Sequence, residues 1–232
     1  FIKAAKDMNI PIFELQHGDV SKFDMVSSYP DKIDGDTWIQ DQIYIFGDYW
    51  KDRYNINSKK ISIGNPIFDK FKNRYAFDKK LDQKIILCIS VNSIDFAKFV
   101  LKASQKYQSG TFLFKLRDSE FKNWKKNYPF LKNTENFKVI ANNHKHLYEL
   151  IYESKYVIST ISTVLYEALS LKKNVIIFKD DDFKYVEDLS RQRYARAVET
   201  INDLIMIIDS EPKNISFDKN FLYKPDCLNN FN

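Results

Sequence analysis

Short apolar runs alternate with amphipathic segments along nearly all of this 232-residue chain. The runs are rich in Ile, Val and Phe and do not alternate with polar residues, which is the pattern of strands covered on both faces. The strands predicted in this way are Ile10–Leu15, Gln42–Phe46, Lys60–Ile63, Lys84–Ser90, Thr111–Leu116, Phe137–Ala141, Tyr156–Ser159 and Asn174–Phe178. The helices predicted between them are Ile94–Gln105, Glu120–Tyr128, Leu147–Ser154, Thr163–Leu171 and Phe183–Tyr194. Strands that alternate with helices indicate an α/β fold built on a parallel sheet.

Polar segments separate the regular part of the chain from its ends. Residues 73–83 are polar and contain Lys79-Lys80, so we place an interdomain linker there. From Lys84 the strand–helix rhythm is regular, which indicates one nucleotide-binding domain with an open sheet over residues 84–211. Residues 19–41 carry few aliphatic side chains, which predicts a long functional loop. The mixed tail, residues 212–232, is expected to fold back as a short helix.

Composition and charge narrow the class of protein. A hydrophobic fraction of 44% and a charged fraction of 29% are those of a folded globular chain. The net charge of +5 favours anionic ligands such as nucleotide phosphates, but the basic residues are too scattered for a nucleic-acid-binding surface. Cys88 and Cys227 are too few for a disulfide framework or a CxxC metal site. No apolar run approaches the ~20 residues that span a bilayer, and no signal peptide is evident, so we expect a cytoplasmic protein trimmed at its N-terminus.

One strand–turn–helix segment carries the clearest candidate binding site. The strand Tyr156–Ser159 is followed by a hydroxyl-rich turn and by the helix that opens at Ser162. In an open parallel sheet, ligands bind beyond the carboxyl ends of the strands, where the next helix begins. The unpaired N–H groups and positive dipole end of that helix can hold a diphosphate without any lysine. Ser159, Thr160, Ser162 and Thr163 could add hydroxyl donors, so we predict a phosphate site here.

Glu167 lies one helical turn beyond Thr163, and residues four apart share a helix face. The apolar residues of the helix, among them Val164 and Leu165, form the opposite, buried face. A carboxylate at this distance from a phosphate site can accept both hydroxyl groups of a ribose. The alternative is an ordinary helix start capped by Ser162, although a capping box would place the acid three residues after the cap, where the sequence has Leu165.

Three further segments carry a resemblance to a known family. A strand ends in Leu15-Gln16-His17-Gly18, the strand Gln42–Phe46 runs into a helix start, and a third strand is followed by Gly64-Asn65-Pro66. Together with the Ser162 segment they resemble the GT-B nucleotide-sugar glycosyltransferases, most closely the bacterial capsule and lipopolysaccharide transferases with a Leu-Gln-His-Gly motif. Their order is also similar to that in UDP-N-acetylglucosamine 2-epimerases and in the glycerol-phosphate polymerases of teichoic acid synthesis.

The resemblance implies a donor bound in a cleft between two Rossmann-like domains, with no metal and no cofactor in the active site. Residues 1–72 would be the C-terminal portion of the acceptor-side domain, and residues 84–211 would be the donor-binding domain. By position, Ser162 and Thr163 would bind the diphosphate and Glu167 the ribose. His17 would be the catalytic base that removes the proton of the acceptor hydroxyl, a role that suits imidazole because it exchanges protons near neutral pH.

One position departs from the pattern of the family. Relatives often carry Lys-x-His-Pro at the end of the second strand of the donor domain, whereas this chain has Lys115-Leu116-Arg117-Asp118. Lys115 is kept, and Arg117 could still clamp a phosphate with two hydrogen bonds. Arginine does not release its proton in proteins, so Arg117 cannot replace a histidine that acts as an acid.

Two other groups of residues could bind a metal in principle. His144 and His146 flank Lys145 in a turn, and Asp180-Asp181-Asp182 follows a strand. The histidines lack an accompanying carboxylate or cysteine cluster, so we interpret them as a loop that could touch the nucleotide base. The aspartates could suggest Mg²⁺, but in the GT-B interpretation they form a loop near the sugar. The glycine-rich fingerprints of NAD enzymes and P-loop NTPases are absent from the sequence.

The sequence therefore predicts a glycosyltransferase that moves a sugar from a nucleotide-sugar donor to a cell-surface polysaccharide or lipid-linked acceptor. Its location would be cytoplasmic, with peripheral association at the inner membrane left open, and nucleic acid is not an expected partner. Three alternatives stay open, namely a nucleotide-sugar 2-epimerase, a CDP-polyol phosphotransferase, and a non-catalytic paralogue that binds nucleotide sugars. The presence of Arg117 favours the last of these.

Overall fold

The computed structural model describes residues 1–21, 23, 39–75, 84–210 and 218–231. The chain divides into two compact units, one formed by Phe1–Asn73 with Asp218–Asn232 and the other by Arg74–Phe217. The strands in the described part of the chain are β1 (Phe13–Leu15), β2 (Gln42–Ile45), β3 (Lys59–Ser62), β4 (Ile85–Ile89), β5 (Thr111–Lys115), β6 (Phe137–Ile140), β7 (Tyr156–Ser159), β8 (Asn174–Phe178) and β9 (Arg196–Val198). The α-helices there are α1 (Ile2–Asp7), α2 (Pro66–Arg74), α3 (Ile94–Lys106), α4 (Trp124–Asn127), α5 (Leu147–Glu153), α6 (Thr163–Ser170), α7 (Glu187–Arg191), α8 (Ile201–Asp209), α9 (Lys219–Leu222) and α10 (Cys227–Asn230). Short 3₁₀ helices occupy Asp48–Arg53, Asp118–Glu120 and Phe183–Tyr185.

The first unit contains a parallel sheet in the order β1-β2-β3. The tail of the chain folds onto this unit, because the Trp50 indole Nε1 donates to the Leu222 carbonyl at 2.8 Å and the backbone N–H of Lys224 donates to the Phe46 carbonyl at 2.8 Å. Gly47 makes this packing possible, since a Cβ there would lie 2.5 Å from the Phe221 carbonyl oxygen. Gly64 has a φ of +100° and leaves room for the carbonyl of Lys224 in the same way.

The second unit is built on a parallel sheet in the order β6-β5-β4-β7-β8-β9. The chain begins at β4 in the middle, moves outward to β6, and returns to the other side of β4 with β7. Successive side chains of a strand point to opposite faces of the sheet. One face packs against α3 and α8 in a core that includes Cys88, Phe114 and Ile158. Leu87 and Val157 point to the other face and are also fully buried, so helices flank the sheet on both sides.

The eight strands expected from the apolar runs are all present, and several bounds are corrected. The expected strand Ile10–Leu15 is shorter and covers only Phe13–Leu15. The expected helix Glu120–Tyr128 is instead a 3₁₀ turn followed by the short α4, because the Glu120 side chain accepts a hydrogen bond from the backbone of Arg117 and closes the chain into a tight turn. The expected helix Phe183–Tyr194 is likewise divided, into a 3₁₀ turn and α7, with Arg193 left-handed at a φ of 62° after its end.

Two elements of the second unit were not predicted. Strand β9 has only three residues, begins with Arg196, and forms the edge of the sheet next to β8. Helix α8 follows β9 and begins with a capping box. Thr200 Oγ1 accepts a hydrogen bond from the backbone N–H of Asp203, and the Asp203 carboxylate accepts one from the backbone N–H of Thr200. Leu204 and Ile208 bury the inner face of α8 against the core.

The long loop expected at residues 19–41 lies mostly outside the described residues, as does most of the linker expected at 73–83. Helix α2 reaches Arg74, so the start of that expected linker is helical. Within the described segments, none of the helices has both the length and the apolar character that crossing a lipid bilayer requires.

Candidate functional site

The reversal of strand order between β4 and β7 fixes where a ligand site can form in the second unit. These two strands are paired in parallel, with Cys88 opposite Ile158, so their carboxyl ends lie side by side. The chain leaves β4 toward one edge of the sheet and leaves β7 toward the other, which opens a crevice above their ends. Ser159 spans this point, because its hydroxyl donates to the carbonyl of Ile89 at 3.0 Å. The Ser159 hydroxyl was predicted to contact the donor. It is instead fully buried and joins β7 to β4.

Helix α6 begins directly above this point. Ser162 is its N-cap, in an extended conformation, and its hydroxyl accepts a hydrogen bond from the backbone N–H of Val164 at 3.3 Å. Ser162 and Thr163 are half-buried, whereas Val164, Leu165 and the other apolar residues of the helix are buried. The positive end of the helix dipole therefore lies at the carboxyl edge of the sheet, with Ser162 and Thr163 beside it.

Thr160 and Asp180 lie together beside the start of α6. The Thr160 side chain is buried, and its hydroxyl faces the carboxyl of Asp180 without a hydrogen bond of normal geometry. Burial raises the pKa of Asp180, and its carboxylate accepts the backbone N–H of Asp182 at 3.1 Å. Among the residues that the structure describes, no group of three or more His, Cys, Asp or Glu side chains gathers in a way that could hold a metal ion.

Glu167 is half-buried on α6, one turn after Thr163, as the helical spacing predicts. Burial raises the pKa of its carboxyl to about 7, and a hydrogen bond from the hydroxyl of Tyr148 acts in the opposite direction. Tyr148 belongs to the first turn of α5 and is buried, and burial together with the charge of Glu167 raises the pKa of its phenol. A carboxyl that titrates near neutral pH beside a helix N-terminus can change its hydrogen-bonding role within the physiological range.

The sequence did not predict the contact between Tyr148 and Glu167. The loop before α5 was considered only because it contains His144 and His146, and the structure shows which residue His146 contacts. His146 caps α5, since its Nδ1 accepts the backbone N–H of Tyr148 at 3.3 Å, and its ring stacks on Tyr148 with 5.5 Å between centroids. His146, Tyr148 and Glu167 thus form a continuous series of contacts from α5 to α6.

Lys115, predicted to bind a donor phosphate, is buried at the carboxyl end of β5. Its Nζ donates to Asn143 Oδ1 at 3.0 Å and to the carbonyl of Leu116 at 3.1 Å, and it lies 4.3 Å above the ring of Phe121. Burial lowers the pKa of Lys115, although the nearby Asp118 and Glu120 act to raise it. In this arrangement Lys115 joins the loops that follow β5 and β6.

Arg117 is exposed next to this buried lysine, and its backbone is fixed by Glu120. The Glu120 carboxylate accepts the backbone N–H of Arg117 at 2.7 Å, the hydroxyl of Ser90 at 2.9 Å and the hydroxyl of Tyr128 at 2.6 Å. Glu120 is almost fully buried, and it ties the loop after β4 to the loop after β5. Sequence reasoning missed it, because its partners lie up to 30 residues away.

His17, the predicted base, belongs to the first unit and follows β1. The neighbouring Gln16 is buried and shapes this turn, since its Nε2 donates to the Gly18 carbonyl at 2.8 Å and its Oε1 accepts the backbone N–H of Phe46 at 2.9 Å. His17 itself is exposed. The predicted residues of the second unit, Ser159, Thr160, Ser162, Thr163 and Glu167, come together around the start of α6, while Lys115 and Arg117 lie at the end of β5.

Comparisons with solved structures identify the architecture. A search of protein-family models finds no match, and neither does a search of curated proteins. A UDP complex of MnaA from S. aureus aligns with a TM-score of 0.58 and 14% identity over 90% of this chain and 62% of that one. A UDP-GlcNAc 2-epimerase from Neisseria meningitidis, bound to UDP-GlcNAc, aligns with a TM-score of 0.52 and 17% identity over 91% of this chain and 67% of that one. The wall teichoic acid polymerase TagF aligns with a TM-score of 0.52 and 14% identity over 87% of this chain and 59% of that one.

These similarities are at the level of the fold, since all three identities lie below 20%. The chain spans 62% of the length of MnaA and 59% of the length of TagF. This chain consists of parallel sheets with flanking helices, and about nine-tenths of it aligns with MnaA and with the UDP-GlcNAc 2-epimerase. The chain therefore has a Rossmann-like α/β fold of the GT-B type.

Proposed function

We propose that this chain is the donor-binding part of a glycosyltransferase that moves a sugar from a nucleotide sugar to a cell-surface polysaccharide or lipid-linked acceptor. The observation that carries the proposal is Glu167, held by Tyr148 one turn beyond the N-terminus of α6 at the point where the strand order reverses. A helix N-terminus at such a position is suited to a diphosphate. A carboxylate one turn further is suited to the two hydroxyl groups of the adjoining ribose.

In the proposed reaction, the N-terminus of α6 stabilises the negative charge that develops on the departing nucleoside diphosphate. Arg117 is exposed and free of the buried contacts that fix Lys115, so we assign the additional phosphate contact to Arg117. His17 takes the proton from the acceptor hydroxyl. The proposal requires neither a resident metal nor a cofactor, because the positive charge is supplied by peptide dipoles and a guanidinium.

The geometry assigns different roles to residues that the sequence grouped together. The hydroxyl of Ser159 is used within the sheet, and that of Ser162 caps the helix. We therefore propose that the first backbone N–H groups of α6 meet the diphosphate directly, with the half-buried Thr163 beside them and the buried Thr160 behind them. Ser159, Ser162 and Lys115 act by holding the surrounding loops in place.

A nucleotide-sugar 2-epimerase is the second candidate, and a specific observation favours it. The solved structures that align with this chain at TM-scores above 0.5 include a UDP-GlcNAc 2-epimerase with its nucleotide sugar bound. An epimerase would use the same donor site but would need no acceptor. The two candidates therefore share the α6 site and differ in what happens to the sugar.

A panel of UDP-, CMP-, CDP- and GDP-linked sugars, scored by thermal shift, tests the shared donor site. We expect one nucleotide class to stabilise the protein, and Glu167→Ala to remove that stabilisation. Glu187→Ala on α7 is the matched control, because Glu187 is an exposed acid on a different helix and is not assigned to the donor site. If none of the nucleotide sugars shifts the melting temperature, the donor-site proposal is wrong.

Turnover of the donor that binds then separates the two candidates. Transfer to an added saccharide acceptor supports the glycosyltransferase, whereas release of a C2-epimeric sugar nucleotide without acceptor supports the epimerase. For the transferase we expect His17→Ala to abolish transfer while donor binding stays within about twofold of the wild type, since a catalytic base contributes mainly to the transition state. Loss of donor binding in His17→Ala would contradict the role assigned to His17.

A further inference from the structure

A pocket of the second unit lies at the opposite end of the sheet from the start of α6. It has a volume of about 350 Å³ and is formed at the amino ends of β8 and β9, between the end of α7 and helix α8. Its size is in the range of small-molecule sites. None of the residues proposed to bind the donor lines it, so it is a separate feature of the molecule.

The lining of this pocket combines apolar walls with groups that can donate hydrogen bonds to an anion. The side chains of Val175 and Ile207, together with two alanines, form the apolar part. Asn174, Ser190, Arg193 and Arg196 form the polar part, and among the described residues that line the pocket none is acidic. Apolar walls with a few convergent polar groups are typical of ligand sites, and two guanidinium groups without a carboxylate select for negative charge.

Arg196 is half-buried at the start of β9, and its charge is not balanced by a carboxylate of the described residues. Its Nη1 donates to the hydroxyl of Ser210 at 3.0 Å, which is a neutral partner. Burial lowers the pKa of Arg196, and the influence that opposes this lowering comes from Tyr156. A buried charge without a counter-charge is costly, so an anion beside Arg196 would be bound favourably.

Arg193 stands at the rim of the pocket in a conformation that arginine does not favour. Its φ is 62°, in the left-handed region where glycine is the usual residue after a helix. The turn is closed by its own backbone, which donates to the Ser190 carbonyl at 2.9 Å, so the arginine side chain plays no part in forming it. Arg193 is exposed and forms no ion pair with any residue in the described part of the chain.

We propose that this pocket binds a phosphate monoester, with the phosphate between Arg193 and Arg196 and its organic group against Val175 and Ile207. Two guanidinium groups match the two negative charges that a phosphate monoester carries near neutral pH, whereas a carboxylate would balance only one. The Ser190 hydroxyl lines the same pocket and adds a neutral donor. The apolar wall distinguishes an organic phosphate from inorganic phosphate.

Methyl NMR of the full chain with phenyl phosphate as the probe reports on this pocket directly. We expect saturable shifts of the Val175 and Ile207 methyl signals, and binding at least about threefold weaker for inorganic phosphate because the apolar contact is lost. Arg196→Gln is expected to weaken binding of phenyl phosphate by about tenfold or more, the effect of removing a charge-assisted hydrogen bond. Arg191→Gln is the matched control, because Arg191 is exposed at the end of α7, next to the lining residue Ser190, but does not line the pocket.

Arg193→Gly keeps the test informative if Arg196→Gln fails to fold. Glycine accepts the left-handed conformation, so we expect Arg193→Gly to melt at the same temperature as the wild type or about 2–4 °C higher. It should nevertheless bind phenyl phosphate about tenfold more weakly. The proposal is wrong if Arg193→Gly binds phenyl phosphate as tightly as the wild type does. It is also wrong if phenyl phosphate does not shift the Val175 and Ile207 methyl signals of the wild type.

Vesicles distinguish a soluble phosphate from a lipid headgroup as the source of the monoester. Phenyl phosphate is the soluble probe, and vesicles containing phosphatidic acid present the same group on a membrane. Co-sedimentation with these vesicles that is lost in Arg193→Gly assigns the pocket to a lipid phosphate, whereas binding of phenyl phosphate alone assigns it to a soluble one. If Arg193→Gly binds both the vesicles and phenyl phosphate as the wild type does, the proposed site is wrong.

Discussion

Glu167 combines a half-buried carboxyl with a pKa of about 7, so we expect binding at the proposed donor site to be sensitive to pH. In the proposed function the ionised carboxylate accepts the ribose hydroxyls, and protonation removes that capacity. We therefore expect the affinity for a nucleotide sugar to be about tenfold weaker at pH 6 than at pH 8. A nucleotide sugar is the suitable ligand, because its diphosphate diester does not itself titrate in this range. Isothermal titration calorimetry between pH 5.5 and pH 8.5 measures the effect.

Two variants assign this pH dependence to Glu167. Glu167→Gln should bind weakly at every pH, with a flat profile. Tyr148→Phe removes the hydrogen bond that lowers the pKa of Glu167, so the midpoint of the binding profile should move to higher pH. Tyr152→Phe on the same helix serves as the control. A profile that keeps its shape in Glu167→Gln would show that another group causes it.

A rise in pH that ionises Glu167 is expected to strengthen nucleotide-sugar binding but to lower the stability of the fold. The folded-state pKa of Glu167 lies above its ordinary value of 4.5, so the folded protein holds the proton more tightly than the unfolded chain. Its contribution to stability is present below about pH 4.5 and is lost as the pH rises through about 7. At pH 8 the buried charge then costs up to about 3 kcal/mol.

Replacing this carboxyl by a neutral isostere should therefore stabilise the fold. We expect Glu167→Gln to raise the free energy of unfolding at pH 8 by about 1–3 kcal/mol and to leave it nearly unchanged at pH 4.5. Urea unfolding followed by circular dichroism at the two pH values checks this, with Glu187→Gln as the exposed control. An equal effect at both pH values would mean that the burial of Glu167 is not the cause.

At the scale of elements, the tail that contains α9 and α10 is held by close backbone contacts within the first unit. A Cβ on Gly47 would lie 2.5 Å from the carbonyl oxygen of Phe221 and 2.6 Å from that of Leu222. The Leu222 carbonyl also accepts the indole N–H of the fully buried Trp50. We expect Gly47→Ala to push the tail away and to destabilise this unit by about 2 kcal/mol or more.

Limited proteolysis and Trp50 fluorescence measure the release of the tail. In Gly47→Ala, cleavage within residues 218–231 should become faster and the Trp50 emission should move to longer wavelength as water reaches the indole. Asn73→Ala, an exposed position at the end of α2, provides the control. Equal cleavage rates in Gly47→Ala and the wild type would contradict the role given to Gly47.

Elements that are apolar throughout were predictable from the sequence, whereas short elements held by distant contacts were not. Strand β4 reads as five apolar residues, and all of them are at least half-buried. Strand β9 contains an arginine, and its pairing with β8 depends on the sheet already being formed. The α6 site shows the same contrast, because the spacing of Thr163 and Glu167 is local, whereas the partner of Glu167 on α5 is 19 residues away in the chain and is brought close only by the crossover from β6 to β7.

At the scale of the whole molecule, the division into two compact units, with the proposed donor site in one of them, predicts where a ligand stabilises the protein. A ligand at 100 times its dissociation constant stabilises the state that binds it by about 2.7 kcal/mol. If the nucleotide sugar binds at α6, amide hydrogen exchange should slow most at the carboxyl ends of β4 and β7 and in the first turn of α6. The amides that begin β8 and β9, at the other end of the same sheet, are the internal reference.

The same experiment with a chelator tests the proposed source of positive charge. Because the diphosphate is assigned to peptide N–H groups and Arg117, addition of EDTA should leave both the affinity and the exchange pattern unchanged, while Arg117→Ala should weaken binding by about tenfold. Slowed exchange that disappears with EDTA and returns with Mg²⁺ would instead place a cation at the Asp180 loop, where burial already raises the pKa of the carboxyl. Because a cation would favour the ionised form of Asp180 and so lower that pKa, the carbonyl-carbon shift of Asp180 across a pH titration distinguishes the two arrangements.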